Sequence, residues 1–344
     1  MTALVEAREL VKQFPIPRSF ADSLRRAPPL AIHAVDGVSF SIEPGETLGL
    51  IGESGSGKTT LGWLLARLTA PTGGEVRFDG VDVTHWKGEA LRAWRKNTQV
   101  VFQDPVGSLD PRMRVWEIVG EPVQAQMKLS RAEVRARVRE TLPTVGLPAD
   151  CLDQYPHEFS GGGRQRIGLA RALSVSPKFV ILDEPTSALD VAVQAQILNR
   201  LVTLQRERRL AYLLITHNVG AVRYVADRVA VMYLGKMAEI GDVHEVLERP
   251  VHPYTKALLA ALPVPDVRRR RTFYRIGGEV PTLVRPPPGC RFAARCPFVI
   301  DQCRSEEPPL RPMPGRPGHL VACHRAEEVA SVAPESLRVS APAA

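Results

Sequence analysis

Nothing in this 344-residue sequence is long and apolar enough to cross a bilayer, since no run reaches the ~18 apolar residues a spanning helix needs. The opening residues, MTALVEAREL, lack the charged and apolar regions of a signal peptide. A soluble, cytoplasmic chain is expected. Concentrated basic charge is missing as well. The formal charge is +8, but arginines are spread along the chain, with one local run at Arg268 to Arg271. That run reads as a solvated linker, or alternatively as a contact for lipid headgroups, and nucleic acid is not an expected partner. No phosphate-binding motif is repeated, and no heptad pattern is sustained. Cysteine is scarce in the body of the chain: of five, only Cys151 precedes residue 290, and it reads as a small packed side chain.

What is present centres on Thr47 to Leu61, TLGLIGESGSGKTTL. The apolar run Leu48 to Ile51 reads as a buried parallel strand, and Thr60 to Leu68 has helical character. Between them Gly52-Glu53-Ser54-Gly55-Ser56-Gly57-Lys58-Thr59 matches G-x-x-x-x-G-K-[ST]. The glycines let backbone N–H groups turn inward around phosphate oxygens, and the new helix presents the positive end of its dipole. Lys58 adds a point charge, and the Thr59 hydroxyl, followed by Thr60, suits Mg²⁺. A nucleoside triphosphate is the expected ligand.

Leu4 to Phe14 reads as an edge strand, followed by a basic, proline-containing loop, Pro15 to Pro29. Further strands are read in AVDGVSFSIEPGE, GGEVRFDGVDV and NTQVVFQD. Helical character takes over from Pro105 to Glu158, where SRAEVRARVRETLPTVGL carries Ala and Val on one face and Arg on the other. Ser130 and Glu133 have the spacing of a capping box. Phe179 to Asp183 and Tyr212 to Thr216 are apolar strands of a parallel sheet. Helices follow around His244 to Glu248 and Tyr254 to Leu262, and beyond Pro263 the composition shifts to Pro and Arg. The expected organisation is an α/β nucleotide-binding domain over 1–262 with a helical subdomain at about 105–159, an extension over 263–330, and a frayed tail over 331–344.

Asp183 and Glu184 end the strand FVILD, where a carboxylate stands beside a phosphate loop. Asp183 is the candidate for Mg²⁺ and Glu184 for polarising the attacking water. Ser160 with Gly161 to Gly163, in FSGGGRQR, opens a second helix N-terminus able to bind an anion. Gln103 and His217 stand at strand ends facing the same crevice.

Taken in order, these elements over residues 1 to about 250 resemble the ATP-binding cassette (ABC) ATPases, which are P-loop NTPases. The resemblance implies a Q-loop at Gln103 contacting the nucleotide and its Mg²⁺, a signature at Ser160 to Gly163, a D-loop at Ser187 to Asp190 and a switch at His217. It also implies two cassettes meeting head to tail, each signature closing on the other's phosphate loop, with the adenine stacked on Phe14. The helical subdomain is then where membrane subunits dock. HPYTKALLAALP, GCRFAARCPF and VACH are similar to the ATPase subunits of oligopeptide and dipeptide importers, which include nickel-peptide importers. The loop between Phe14 and Ala34 resembles the F-type subunit of heterodimeric pairs. The implied partners are a second cassette, two permeases and, indirectly, an extracytoplasmic binding protein, with the chain peripheral on the cytoplasmic face of the membrane. The competing reading is a soluble cassette acting on DNA or ribosomes, which would usually carry two cassettes or a long coiled coil. A P-loop kinase or GTPase would not carry FSGGG ahead of Asp183-Glu184.

One residue departs from the family pattern. Gly163 stands where Gln normally follows Ser-Gly-Gly, so the side-chain contacts of Gln are missing from the site this signature would close, and the two sites of a pair are expected to be unequal.

Cys290, Cys296, Cys303 and Cys323 gather in the extension, and such a quartet in a cytosolic chain points to a metal centre before disulfides. Four thiolates suit tetrahedral Zn²⁺ or an iron–sulfur cluster, and spacing alone does not choose between them or exclude free thiols. The family resemblance favours [4Fe-4S]. His319 and His324 are close enough in sequence to be alternative ligands. A short, proline-rich segment is expected to need such a crosslink, for want of core.

Overall fold

The computed structural model describes residues 2–17, 30–104, 107–187, 189–261 and 282–332. Most of the Pro15 to Pro29 loop, the Arg268 to Arg271 run, Ala188 of the D-loop and residues 333–344 lie outside the described residues.

The chain begins with strands β1 (Val5–Pro15), β2 (Ala31–Ile42) and β3 (Thr47–Ile51), helix α1 (Lys58–Leu65), strands β4 (Gly73–Phe78) and β5 (Val81–Asp82), helix α2 (Gly88–Arg95) and strand β6 (Thr98–Val101). Helices α3 (Val115–Gln126), α4 (Arg131–Thr141) and α5 (Gly161–Leu173) follow, then β7 (Phe179–Asp183), α6 (Val191–Arg208), β8 (Ala211–Ile215), α7 (Val219–Val225), β9 (Arg228–Tyr233) and β10 (Lys236–Asp242). The last part holds α8 (Val243–Glu248), α9 (Pro253–Ala260), α10 (Asp301–Ser305), β11 (Arg311–Met313), β12 (Arg316–Val321) and α11 (Ala326–Ser331).

One sheet has eight strands in the order β11-β12-β10-β9-β3-β8-β7-β6, and the other has four in the order β2-β1-β4-β5. From β9 to β6 all neighbours are parallel. The middle strands β3, β7 and β8 are mostly apolar because both faces are covered. Phe179 and Ile181 face the layer that holds α1 and the small sheet, while Val180 and Leu182 face the helices α3 to α6. The period-two alternation of a strand thus divides one apolar run between two cores.

Three expectations need correction. Leu4 to Phe14 is not an edge: β1 is paired antiparallel on both sides, with β2 and with β4. Alternation reports which face of a strand is buried and says nothing about its edges. In α4 the capping box forms, Ser130 Oγ accepting from Glu133 N and Glu133 accepting from Ser130 N. Its apolar face, however, is Val134, Val138 and Thr141, while Ala132 and Ala136 are exposed. Spacings of four and three residues stay on one helix face, and those alanines lie off it.

The third correction concerns the extension, which is not short of core. β12 adds to the large sheet beside β10, Glu239 opposite Val321 and Ile240 opposite Leu320. Phe292 is fully buried in one cluster with Tyr233 and Tyr254. Pro253 to Ala260 carries the fastening. His252 Nδ1 caps α9 by accepting from Tyr254 N at 3.0 Å, with Pro253 at the first helical turn, where its missing N–H costs nothing. Buried Lys256 donates to the carbonyl oxygens of Val329 and Val332, closing the end of α11.

Candidate nucleotide site

The loop between β3 and α1 can follow its path only with glycine at two points. Gly52 has φ of 155° and a Cβ there would stand 2.1 Å from Met232 O; Gly57 has φ of 101° and a Cβ would stand 2.0 Å from Ala34 O. The loop therefore lies against β9 and β2, and its concave side opens into a cavity of about 500 Å³. Small-molecule sites fall in this range. Gly52, Ser54, Gly55, Ser56, Gly57, Lys58, Thr59 and Thr60 line it, joined by Gln103, Asp183, Glu184 and His217 from the ends of β6, β7 and β8. Gly52 and His217, 165 positions apart in sequence, meet here because parallel strands deliver their carboxyl ends to one edge.

Lys58 is nearly buried, and its Nζ donates to Gly52 O and Glu53 O, each at 2.9 Å, and to Ser56 Oγ at 3.3 Å. Burial lowers its pKa, while the charges of Glu184, Asp183 and Glu53 oppose that fall. Thr59 Oγ1 donates to Asp183 Oδ1 at 3.3 Å. Burial pushes the Asp183 carboxyl up, the Thr59 hydrogen bond pulls it back, Glu184 raises it and Lys58 lowers it. A hydroxyl beside a carboxylate that would gain from a cation is a donor set that fits Mg²⁺.

Glu184 has a left-handed backbone, φ of 49°, with its N–H donating to Ile215 O at 2.8 Å. A non-glycine residue held there stores strain, which is often found where geometry serves chemistry. Its Oε1 lies 2.8 Å from His217 Nδ1, while Oε2 is buried with no partner among the described atoms. The His217 side chain is 71% exposed and that of Glu184 only 12%. The carboxylate is thus oriented by one group, and its other oxygen keeps an unused acceptor on a residue that lines the cavity.

Phe14 and Ile32 form the far end of the cavity, both partly exposed, with Lys12 Nζ 5.0 Å from the Phe14 ring centroid. Leu283 joins them, its carbonyl accepting from His33 N at 3.0 Å. Nothing local in the sequence marks Leu283. Glu53, expected among the nucleotide contacts, is instead turned away: its carboxylate pairs with Arg295 and its N–H donates to Tyr254 OH at 2.7 Å. Ser160, Gly161 and Gly162 do not line this cavity either. Ser160 caps α5, accepting from Gly163 N at 3.2 Å, and the glycines pack on Leu189 and Val193 beside the D-loop. There, Ser187 Oγ donates to Glu184 O at 3.2 Å and Asp190 caps α6.

In the extension all four cysteines are free and line one small cavity of about 10 Å³, with His324 at its wall. Burial, followed by the neighbouring thiols, pushes Cys296 up to about 12 and Cys323 up to about 11. Among the described residues, though, no three His, Cys, Asp or Glu side chains are arranged to hold a metal ion. The donor chemistry fits a metal centre and the arrangement does not. His319 is removed from the ligand candidates, being buried with Nε2 2.6 Å from Glu239 Oε1. Cys151 is buried in the helical-layer core, as expected of a packing residue.

Residues 35–187 match the family of the ABC transporter, and residues 238–303 match the oligopeptide/dipeptide transporter C-terminal region. The chain is 45% identical over 326 residues to the oligopeptide transport ATP-binding protein AppF of Bacillus subtilis, covering 93% of this chain and 97% of AppF. It is 43% identical over 328 residues to the di/tripeptide transport ATP-binding protein DppF of Pseudomonas aeruginosa, covering 95% and 99%. Among solved structures, it is similar to a dimeric ATP-binding cassette in a post-hydrolysis state bound to ADP and Pi, with a TM-score of 0.61 and 27% identity over 70% of this chain and 98% of that one. Among the described residues no helix is long and apolar enough to cross a membrane.

Proposed function

The chain belongs to the ATP-binding subunits of the peptide-importing ABC transporters, and from that premise we propose how its residues divide the work of a Mg-dependent ATPase that powers import. Lys58 and the backbone of Gly52 to Thr60 take the phosphates, and Phe14 stacks on the base. Thr59 and Asp183, with Gln103, hold Mg²⁺, which when bound screens the phosphate charge. Glu184 accepts the proton of the attacking water through the oxygen that has no partner, and His217 keeps that carboxylate in place. Such a base has to lie within hydrogen-bond reach of its water, and a fixed carboxylate meets that condition better than a mobile one.

The observation that carries the reading is that these groups converge on one cavity while Ser160 to Gly162 lie outside it. A site so divided needs the signature of a second cassette. We take that cassette to be a different chain, as in the F-type pairs, with two permeases docking on the helical subdomain about 105–159 at the cytoplasmic face of the membrane and an extracytoplasmic binding protein delivering peptide. Binding of ATP with Mg²⁺ to the full chain tests the site. Lys58→Ala should weaken it at least tenfold, and unchanged affinity would remove the loop from the site.

We propose a resident [4Fe-4S] centre in the extension, with Zn²⁺ as the alternative, on the family resemblance and on the donor chemistry of four free cysteines, whose present arrangement does not itself support it. Anaerobically purified chain should carry about four iron and four sulfide. One zinc and no iron would replace the cluster with the zinc reading.

A further inference from the structure

The residues with which the extension meets the catalytic domain close on the phosphate loop itself. Arg295 ends a short 3₁₀ turn, Ala293–Arg295, just before Cys296. Its guanidinium forks onto Glu53, Nη1 to Oε2 at 3.0 Å and Nη2 to Oε1 at 3.3 Å, and Nη1 also donates to Tyr233 OH at 3.1 Å. The Arg295 side chain is only 7% exposed, so solvent has little part in holding it. From α9, the hydroxyl of fully buried Tyr254 accepts the Glu53 N–H at 2.7 Å. One residue of the loop is therefore gripped twice, by side chain and by backbone.

The gripping groups are themselves stiff. Tyr233, Tyr254 and Phe292 form a cluster with ring centroids 4.5, 5.3 and 5.6 Å apart, and Arg295 lies 5.8 Å from the Tyr233 ring. Elsewhere the loop is tied at Ser56, whose carbonyl accepts from Gly235 N at 2.9 Å. Between these ties Gly55 has open space where a Cβ would stand, and Gly52 and Gly57 have torsions only glycine adopts easily. A chain so rich in glycine loses much conformational freedom when it closes on phosphates. Fixing it beforehand shifts that cost from binding to folding and raises affinity.

We propose that Arg295 and Tyr254 are positioning residues for the phosphate loop, so that the C-terminal extension, through Arg295, and the helix α9 that it packs on, through Tyr254, set the affinity of the ATP site from behind. Neither side chain lines the nucleotide cavity, so each acts through Glu53. The inference rests on the phosphate loop being the ATP site and goes beyond that reading by assigning the extension a role in nucleotide binding.

The test uses the full chain with a fluorescent ATP analogue and Mg²⁺, together with ATP turnover in the assembled transporter. Tyr254→Phe keeps the ring and removes only the acceptor, and Arg295→Ala removes the fork. Each should raise Kd and KM for ATP by roughly three- to tenfold, as expected for losing one or two hydrogen bonds. Turnover at saturating ATP should stay within about twofold, because no group that touches the reacting atoms has changed. Arg295→Lys, which keeps the charge but not the fork, should recover part of the affinity. Arg295→Ala combined with Glu53→Ala should weaken binding no more than the stronger single change, since both break the same contact. Unchanged affinity in Tyr254→Phe and Arg295→Lys, two variants that should fold, overturns the proposal even if Arg295→Ala is unstable. Equal losses in kcat and affinity, or additive losses in the double variant, overturn it too. Lys58→Ala separates the two failures: if it abolishes binding while the extension variants do nothing, the ATP site stands and this inference falls.

Discussion

Glu184, in the nucleotide cavity, keeps one buried carboxylate oxygen with no partner among the described residues, whereas Glu239, buried beneath the extension, accepts from Val251 N, His252 N and His319 Nε2. The same side chain is used in opposite ways. In the cavity, Glu184 sits on a strained backbone and Asp183 carries a carboxyl raised by burial, so folding leaves these groups needing a cation or a water. Beneath the extension, Glu239, His252 and Lys256 are matched by backbone groups and serve to hold α9, β12 and α11 together. Glu184 keeps an acceptor open, and Glu239 has both carboxylate oxygens taken. Three of the extension's four thiols, Cys290, Cys296 and Cys323, are raised by burial and sit with Cys303 around one cavity, which is why the quartet stands out as a candidate centre.

The comparison can be broken first at Glu184. Replacing it with Gln should cut ATP turnover by about 100-fold or more while leaving ATP binding intact, because only the proton acceptor is lost. Turnover near wild type would show that the open oxygen has no catalytic part. The matching change in the fastening region is Glu239→Ala, which strips three buried donors of their acceptor and should lower unfolding stability by about 3–5 kcal/mol, read by denaturant titration. A loss below ~1 kcal/mol would mean that the buried carboxylate fastens nothing.

A subtler difference appears on acidification. Burial holds fully buried His252 down to about 4, below its ordinary 6.5. Between those values the unfolded chain binds more protons than the folded one, so this contribution is complete above pH 6.5 and is lost as pH falls toward 4. The loss should be on the order of 3 kcal/mol and should disappear in His252→Asn, whose side chain can still cap α9. An unfolding profile with the same slope in both proteins would contradict it.

The smallest effect belongs to Gly163. A Cβ at this position would stand 2.9 Å from Phe159 Cβ, which rotation of the Phe159 ring cannot move, so Gly163→Gln requires the backbone at Phe159 or Gly163 to shift. If the missing contacts slow the partner's site, the substitution should raise turnover there by tenfold at most. Glu184→Gln should then cost more than the equivalent change in the partner. Equal losses, with no gain from Gly163→Gln, would make the departure neutral.

The sequence revealed the cavity far better than its supports. A phosphate loop is local: its glycines, lysine and threonine must be adjacent to do their work, and apolar runs that end in Gln103, Asp183 or His217 bring partners to it by the rule of parallel sheets. Supports are not local. Glu53 and Arg295 are 242 positions apart, and neither carries a pattern that names the other. HPYTK was legible only as a resemblance, because capping by His252 and the reach of Lys256 to α11 depend on where β12 packs. His319 reads as a ligand by its nearness to Cys323 in sequence, yet strand pairing turns it onto Glu239. The central position of β1 and the exposed alanines of α4 were missed for a related reason, since periodicity identifies faces and not neighbours.

The central claim is that this chain holds all that is needed to bind ATP but not to turn it over, since Ser160 to Gly162 lie outside its own cavity. Specific ATPase activity measured while the purified chain is diluted, with nucleotide binding followed in parallel, tests it most directly. The account predicts that bound ATP per chain stays constant while activity per chain falls toward zero as the chains separate, and returns when a second cassette is supplied. Activity per chain that stays constant down to the fully monomeric range would contradict it.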